Sequence, residues 1–199
     1  RTRSARRPAG PPEMWPWEHL AFAYLLYSPP RRVLRHAPPE ARAVGALLLA
    51  SQLPDLVDKP LAWVFGVLPA GRSLAHSLLF ALPLVLVVAV LANSTRSRAV
   101  GPAFGVGYLS HLAGDVVYPL VTEGDLVVGF LLWPVVAVDA SPVEAVPHLL
   151  GLVGSFLAFL ATPRGALYLV LDLTMLVVAA VAWALDGAPG LGGWRRDDV

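Results

Sequence analysis

The chain has 199 residues, 56% of them hydrophobic and only 15% charged, with a formal net charge of +1 and a mean hydropathy of +0.63. Soluble domains carry about 25% charged residues, so this composition belongs to the membrane class. The near-zero net charge removes the electrostatic case for nucleic-acid binding, and the absence of cysteine excludes disulfides, thiolate metal ligands and a cysteine nucleophile.

Residues 1–16 hold four arginines and four prolines without periodicity, and are expected to form a disordered basic arm suited to lipid headgroups. No basic region, apolar stretch and cleavage site follow one another at the start, so a cleavable signal peptide is not expected. Trp17 to Ser28 reads as a short apolar helix that Pro29-Pro30 stops, followed by a basic loop with Arg31, Arg32, Arg35 and His36. A second helix is expected from Ala41 to about Val57, with Pro54 near its end. Leu61–Leu68 is too short to span and suits the interface, where Trp63 would sit. A helix from about Arg72 to Ala92 and the polar turn Asn93–Arg98 come next. The apolar run from Ala99 to Val121 is long enough to cross a bilayer. Glu123-Gly-Asp125 is an acidic turn, and Leu126–Val138 a short apolar segment broken by Pro134. Two further apolar runs, near 144–162 and 165–186, precede a polar tail at 188–199. The expected fold is all-α: a polytopic transmembrane bundle of about six or seven helices, forming one domain over 17–187.

The polar residues inside this apolar frame carry the functional signal. His111 and Asp115 are the only imidazole and the only carboxylate between Ala99 and Val121. Four residues apart on a helix, they share a face. Such groups are costly in hydrocarbon unless partnered, so they read first as functional. Consecutive helices joined by short loops run antiparallel. If the end holding Arg31–Arg42 is the bottom, alternation brings His19, Asp55, Asp58, Arg72, His76, His111 and Asp115 to the top. Without cysteine, imidazole and carboxylate there would suit zinc, manganese or iron. A divalent ion in such a site lowers the pKa of water towards neutrality, and two ions clamp a phosphoryl oxygen. Arg72 is a natural fork for an anionic group of the substrate.

The order His19, Leu53-Pro54-Asp55-Leu-Val-Asp58, Arg72-x3-His76-Ser77, His111-x3-Asp115 and Leu131-Leu-Trp133-Pro134 resembles the YdjM-like membrane-bound metal-dependent hydrolases over residues 17–135. The resemblance implies Asp55, His76, His111 and Asp115 as metal ligands, with His19 as a further one. Two departures stand out. Val57 occupies the position where that family usually has its second acidic residue, with Asp58 one place later, and a histidine usual ahead of the His76 block is missing. A more distant likeness, in ligand order, is to zinc-dependent phospholipase C. It implies that Asp115 bridges two ions, with Asp55, His76 and His111 on one and His19 on the other.

The resulting expectation is a membrane-embedded hydrolase using one or two divalent ions, zinc first, with a membrane lipid or other small amphiphilic phosphoester as substrate. Asp58 would act as general base or as the outer-shell orienter of a ligating histidine. The alternative is a non-catalytic membrane protein, a transporter, ion binder or structural protein, whose His/Asp cluster holds an ion or fixes helix packing. Glu18 is expected to point about 100° away from His19. Asp172 has no identifiable partner in the sequence, and His36, His148, Glu123 and Asp125 are set aside. With the N-terminal arm left out, the arginine bias places the bottom in the cytoplasm and the site on the non-cytoplasmic side of the cell membrane.

Overall fold

The computed structural model describes residues 14–94, 97–122, 124–139 and 145–191, with the side chain of Ala145 left aside. The expected arm up to residue 13, Glu123 and the tail from 192 lie outside the described residues. Among those described there are seven α-helices, one short 3-10 turn and no strand: α1 (Pro16–Arg35), α2 (Ala41–Ala50), α3 (Leu53–Trp63), α4 (Leu78–Ser94), α5 (Val100–Thr122), the turn at Gly129–Leu132, α6 (Ala145–Leu160) and α7 (Pro163–Leu185). The all-α class and the helix number agree with the sequence reading.

α5 is the central helix. It packs against α1, α2 and α4, while α7 closes on α1 and α6. Small residues let it sit so close. A Cβ on Gly107 would stand 2.3 Å from the Leu47 carbonyl oxygen of α2, and one on Gly114 would meet the Met14 sulfur at 2.6 Å and the His19 ring at 3.4 Å. Around Gly107 the core is built from Ala43, Val44 and Leu47 of α2, Ala103 of α5, and Tyr24 and Tyr27 of α1. A second cluster joins Ala50, Ala81, Phe104, Tyr108 and Leu112 across α2, α4 and α5.

The outside is apolar as well. α4 exposes Leu79, Leu82, Leu86 and Leu91, and α7 exposes Leu167, Val170, Leu171, Val177 and Val181. Apolar surface of this extent is the mark of a lipid-facing or partner-facing wall. By length and composition α7 qualifies as a membrane span, and α4 and α6 are apolar but shorter.

Three expected boundaries move. α1 does not stop at Pro29-Pro30 but runs through both to Arg35, where His36 adopts a left-handed cap and its N–H returns to the Arg32 carbonyl. The extra turns are held from outside the helix. Ser28 Oγ (2.5 Å), Tyr24 OH (2.6 Å) and Arg32 Nε all donate to the carboxylate of Asp186, which follows α7. The expected helix Ala41–Val57 is two helices, broken at Ser51-Gln52, with Pro54 in the first turn of α3, where a missing N–H costs nothing. Leu61 to Trp63 thus ends α3, and the region from Val64 to Ser77 has no regular helix. Arg72 and His76 consequently lie in a loop, and α4 begins only at Leu78.

Gly107→Ala should lower stability by about 1–3 kcal/mol, because the α2 backbone must move. Gly45→Ala, with nothing within 4 Å of its Cβ, should leave thermal unfolding in detergent unchanged or slightly raise it. At Asp186, burial raises the carboxyl pKa, but the hydrogen bonds from Ser28, Tyr24 and Arg32 outweigh it and hold the group below its usual value of 3.8. A depressed native pKa gives stability that is present at neutral pH and lost as pH falls below about 4. The gap in unfolding temperature between wild type and Asp186→Asn should therefore be widest near pH 7 and close below pH 4.

Candidate metal centre

Four segments meet at one end of the bundle: the first turn of α1, α3, the loop before α4 and the C-terminal half of α5. Each contributes through a local reason. His111 and Asp115 lie one turn apart on α5, both buried. The break between α2 and α3 turns the Ser51 carbonyl towards α5, where it accepts from His111 Nδ1 at 2.7 Å. A carbonyl cannot donate, so the proton sits on Nδ1 and the Nε2 lone pair points into the site.

His76 is fixed in the same manner by different means. Asp58, fully buried on α3, accepts from the backbone N–H groups of Ser73 (2.8 Å), Ala75 (2.9 Å) and His76 (3.3 Å), and from His76 Nδ1 at 2.8 Å. One carboxylate therefore organises an irregular loop and aims an imidazole. Tyr108 of α5 donates to the Ala75 carbonyl (2.7 Å), and Ser77 donates to the Trp133 carbonyl (2.5 Å), tying the loop to α5 and to the segment after the 3-10 turn.

With both Nδ1 atoms committed, the two Nε2 atoms face each other at 3.2 Å. Around them stand Asp55 Oδ1, 3.5 Å from His76 Nε2 and 3.7 Å from His111 Nε2, and Asp115 Oδ2, 3.3 and 3.8 Å from the same two atoms. The other Asp115 oxygen lies 3.6 Å from His19 Nε2, and the His19 ring stacks on His111 with centroids 3.8 Å apart. Among the described residues two groups could hold a metal ion: Asp55, His76 and His111, and His19, His111 and Asp115, each with its ligand atoms within 4.8 Å of one another. A tetrahedral ion with bonds of about 2.0–2.1 Å separates its ligand atoms by about 3.3–3.4 Å, close to the distances found. The donor set is imidazole and carboxylate throughout, so it fits a borderline divalent cation.

The field of the site points the same way. Burial disfavours a charged His76 ring, but Asp115, Asp55 and Asp58 together outweigh it and lift its pKa to about 10. Positive charge is favoured at this spot, and a proton competes for it with a metal ion.

All seven residues singled out in the sequence come together here. Arg72 Nε lies 3.8 Å from Asp115 Oδ2, with its guanidinium 5.7 Å from the Phe130 ring centroid. Of the supports of the site, the sequence reading singles out Asp58 but neither Lys59 nor the Ser51 carbonyl. Lys59 Nζ holds the outer oxygen of Asp55 at 2.7 Å, an i,i+4 pair that the single lysine of the chain could have signalled. The Ser51 carbonyl carries no side-chain signal at all. Glu18 is buried and bonded to the Tyr168 hydroxyl and the Trp15 N–H. Asp172 of α7 faces Glu18 electrostatically, and its buried Oδ1 has no hydrogen-bond partner among the described residues. His36 is exposed at the far end, His148 packs edge-on against Trp63, and Asp125 is exposed.

Searches among curated proteins and among solved structures return no match. The family model of the YdjM inner membrane protein matches residues 14–187, a stretch that takes in every helix of the bundle and each residue of the His/Asp centre. The chain belongs to the YdjM inner membrane protein family.

Proposed function

We propose that this protein is a membrane-embedded hydrolase that uses one or two divalent ions, zinc in the first place, to cleave a phosphoester of a lipid or a similar amphiphile. One observation carries the reading. His76 and His111 each have Nδ1–H committed to a fixed acceptor, so two Nε2 lone pairs meet at 3.2 Å with carboxylate oxygens of Asp55 and Asp115 alongside. At that distance the two nitrogens repel unless a proton or a metal ion lies between them, and the carboxylate oxygens alongside complete the donor set that a divalent ion takes.

In this reading Asp55, His76, His111 and Asp115 would hold one ion, and Asp115, whose two oxygens face different histidines, could with His19 serve a second. Such an ion supplies Lewis acidity, making water nucleophilic near neutral pH and neutralising charge on a phosphoryl group. The chain's own residues do the positioning. Asp58 has its acceptor sites filled by the loop N–H groups and His76 Nδ1, so of the two roles expected for it the orienting one is favoured. Lys59 keeps one oxygen of Asp55 turned away, leaving the other for the ion. Arg72 offers a planar fork to an anionic substrate group, and its guanidinium lies over the Phe130 ring.

The lipid part of the proposal rests on surroundings. Val64, Phe65 and Val67, after α3, and Leu126–Val128, before the 3-10 turn, are exposed apolar residues in the two segments that flank the centre. A polar centre with an apolar rim meets amphiphiles at the membrane boundary. Arg31, Arg32, Arg35 and Arg98 lie at the other end of the bundle, and the positive-inside tendency would make that end cytoplasmic. The chain would then cross the membrane several times and present its centre on the non-cytoplasmic side.

Elemental analysis of purified protein should find one or two equivalents of zinc, manganese or iron in the wild type and less than a tenth of that in His111→Ala and Asp115→Ala. Phosphate-headgroup release from phospholipid vesicles should disappear on chelation and return with metal. Metal-free protein whose unfolding ignores chelator would overturn the proposal in favour of a structural cluster. Bound metal without turnover, but with ion flux in liposomes, would overturn it in favour of transport. In a chelator-competition titration, Asp58→Asn should bind metal about 10–100-fold more weakly than the wild type.

A further inference from the structure

The bundle has a second feature at the end opposite the histidines. α1, the loop into α2 and the start of α5 enclose an open cleft of about 640 Å³. The start of α5 lies eleven residues before His111, about 16 Å along the helix axis, so this cleft is separate from the metal centre and owes nothing to it.

Its lining is of two kinds. Leu26 and Leu34 of α1 and Val106 of α5 form apolar walls, while Arg31, Arg35 and Arg98 bring three guanidinium groups against one carboxylate, Glu40. That carboxylate is taken: Arg31 pairs with it at 3.0 Å and also donates to the Pro38 carbonyl at 3.3 Å. Arg35 and Arg98 make no hydrogen bond or ion pair among the described residues. The cleft therefore presents two uncompensated positive charges next to an apolar slot. The positive end of the α5 dipole adds to the same field.

Position decides what fits. In a membrane protein, the ends of α1 and α5 that carry arginines lie at headgroup depth, and the apolar walls run from there along the lipid-facing sides of the helices. A free anion would use the arginines and leave the slot uncovered. A zwitterionic lipid would bring its own cation to the guanidinium groups and gain little. We infer that the cleft between α1 and α5 is a binding site for one anionic phospholipid, its headgroup phosphate held by Arg35 and Arg98 and its acyl chains lying along Leu26, Leu34 and Val106. The lipid would be a resident of the site and a brace between α1 and α5, distinct from any molecule processed at the other end.

The test uses the full-length protein in mild detergent. Native mass spectrometry with added phosphatidylglycerol should show one retained lipid, and thermal unfolding should shift upward by several degrees. Phosphatidylcholine and soluble glycerol 3-phosphate should each leave both readouts unchanged. In Arg35→Gln/Arg98→Gln the phosphatidylglycerol affinity should fall at least tenfold, and Arg35→Lys/Arg98→Lys should recover part of it, which separates lost charge from lost folding. Equal stabilisation by phosphatidylcholine would overturn the inference, as would a full effect from glycerol 3-phosphate alone. Wild-type retention of phosphatidylglycerol by the glutamine variant, or no retained lipid in the wild type, would do the same.

Discussion

Two imidazoles with their Nδ1 protons tied to fixed acceptors are the constraint on which this structure turns. His111 is tied by the Ser51 carbonyl and His76 by the Asp58 carboxylate. Neither tether can donate, so tautomer and ring direction are both set, and both Nε2 atoms face one point. A buried polar group without a partner is expensive, and two acceptors facing each other are worse. The surrounding Asp55 and Asp115 deepen the negative field. A proton on His76 or a metal ion relieves that repulsion, and this need links the packing of the bundle to the chemistry of its centre.

The packing exists to make those tethers reach. α5 approaches the α2 backbone at Gly107 closer than any Cβ would allow, and at Gly114 it meets the Met14 side chain and the His19 ring of α1. The first approach brings His111 to Ser51, and the second lets the His19 ring lie flat on His111. A loop without helical regularity carries His76, and its rigidity comes from outside: Asp58 on one side, Tyr108 and the Trp133 carbonyl on others. The precision of the centre is thus a property of tertiary contacts more than of any single helix.

The two ends of the bundle divide the labour. Among the described residues, Arg72 and Lys59 beside the centre are both turned onto carboxylates. The opposite end collects arginines, a buried Asp186 that joins α1 to α7, and the charged cleft beside α5. Between them the walls are leucine and valine exposed on the outside of α4 and α7. Membership of an inner-membrane family makes this wall intelligible, since a surface of that kind is stable against lipid and not against water.

The amino-acid sequence by itself determined the class of the protein and the cast of its centre. Sparse charge and long apolar runs allowed only a helical membrane protein, and helix alternation was enough to send His19, Asp55, His76, His111 and Asp115 to one end. The i,i+4 pair of His111 and Asp115 was legible because α5 is a regular helix, where spacing converts directly into direction. Only the tertiary structure decided the rest. Pro29-Pro30 reads locally as a stop, yet α1 continues because Asp186, more than 150 residues away, accepts from Ser28 and Arg32 in the later turns. Arg72 and His76 read as helical neighbours, yet they belong to a loop, where Asp58, expected as base or orienter, takes the orienting contact to His76. Glu18 and Asp172 met across α1 and α7, and a backbone carbonyl at a helix break chose the tautomer of His111. Local propensity is worth tenths of a kcal/mol to about one per residue. A buried hydrogen bond to a charged group is worth more, so where the two disagreed the long-range bond prevailed.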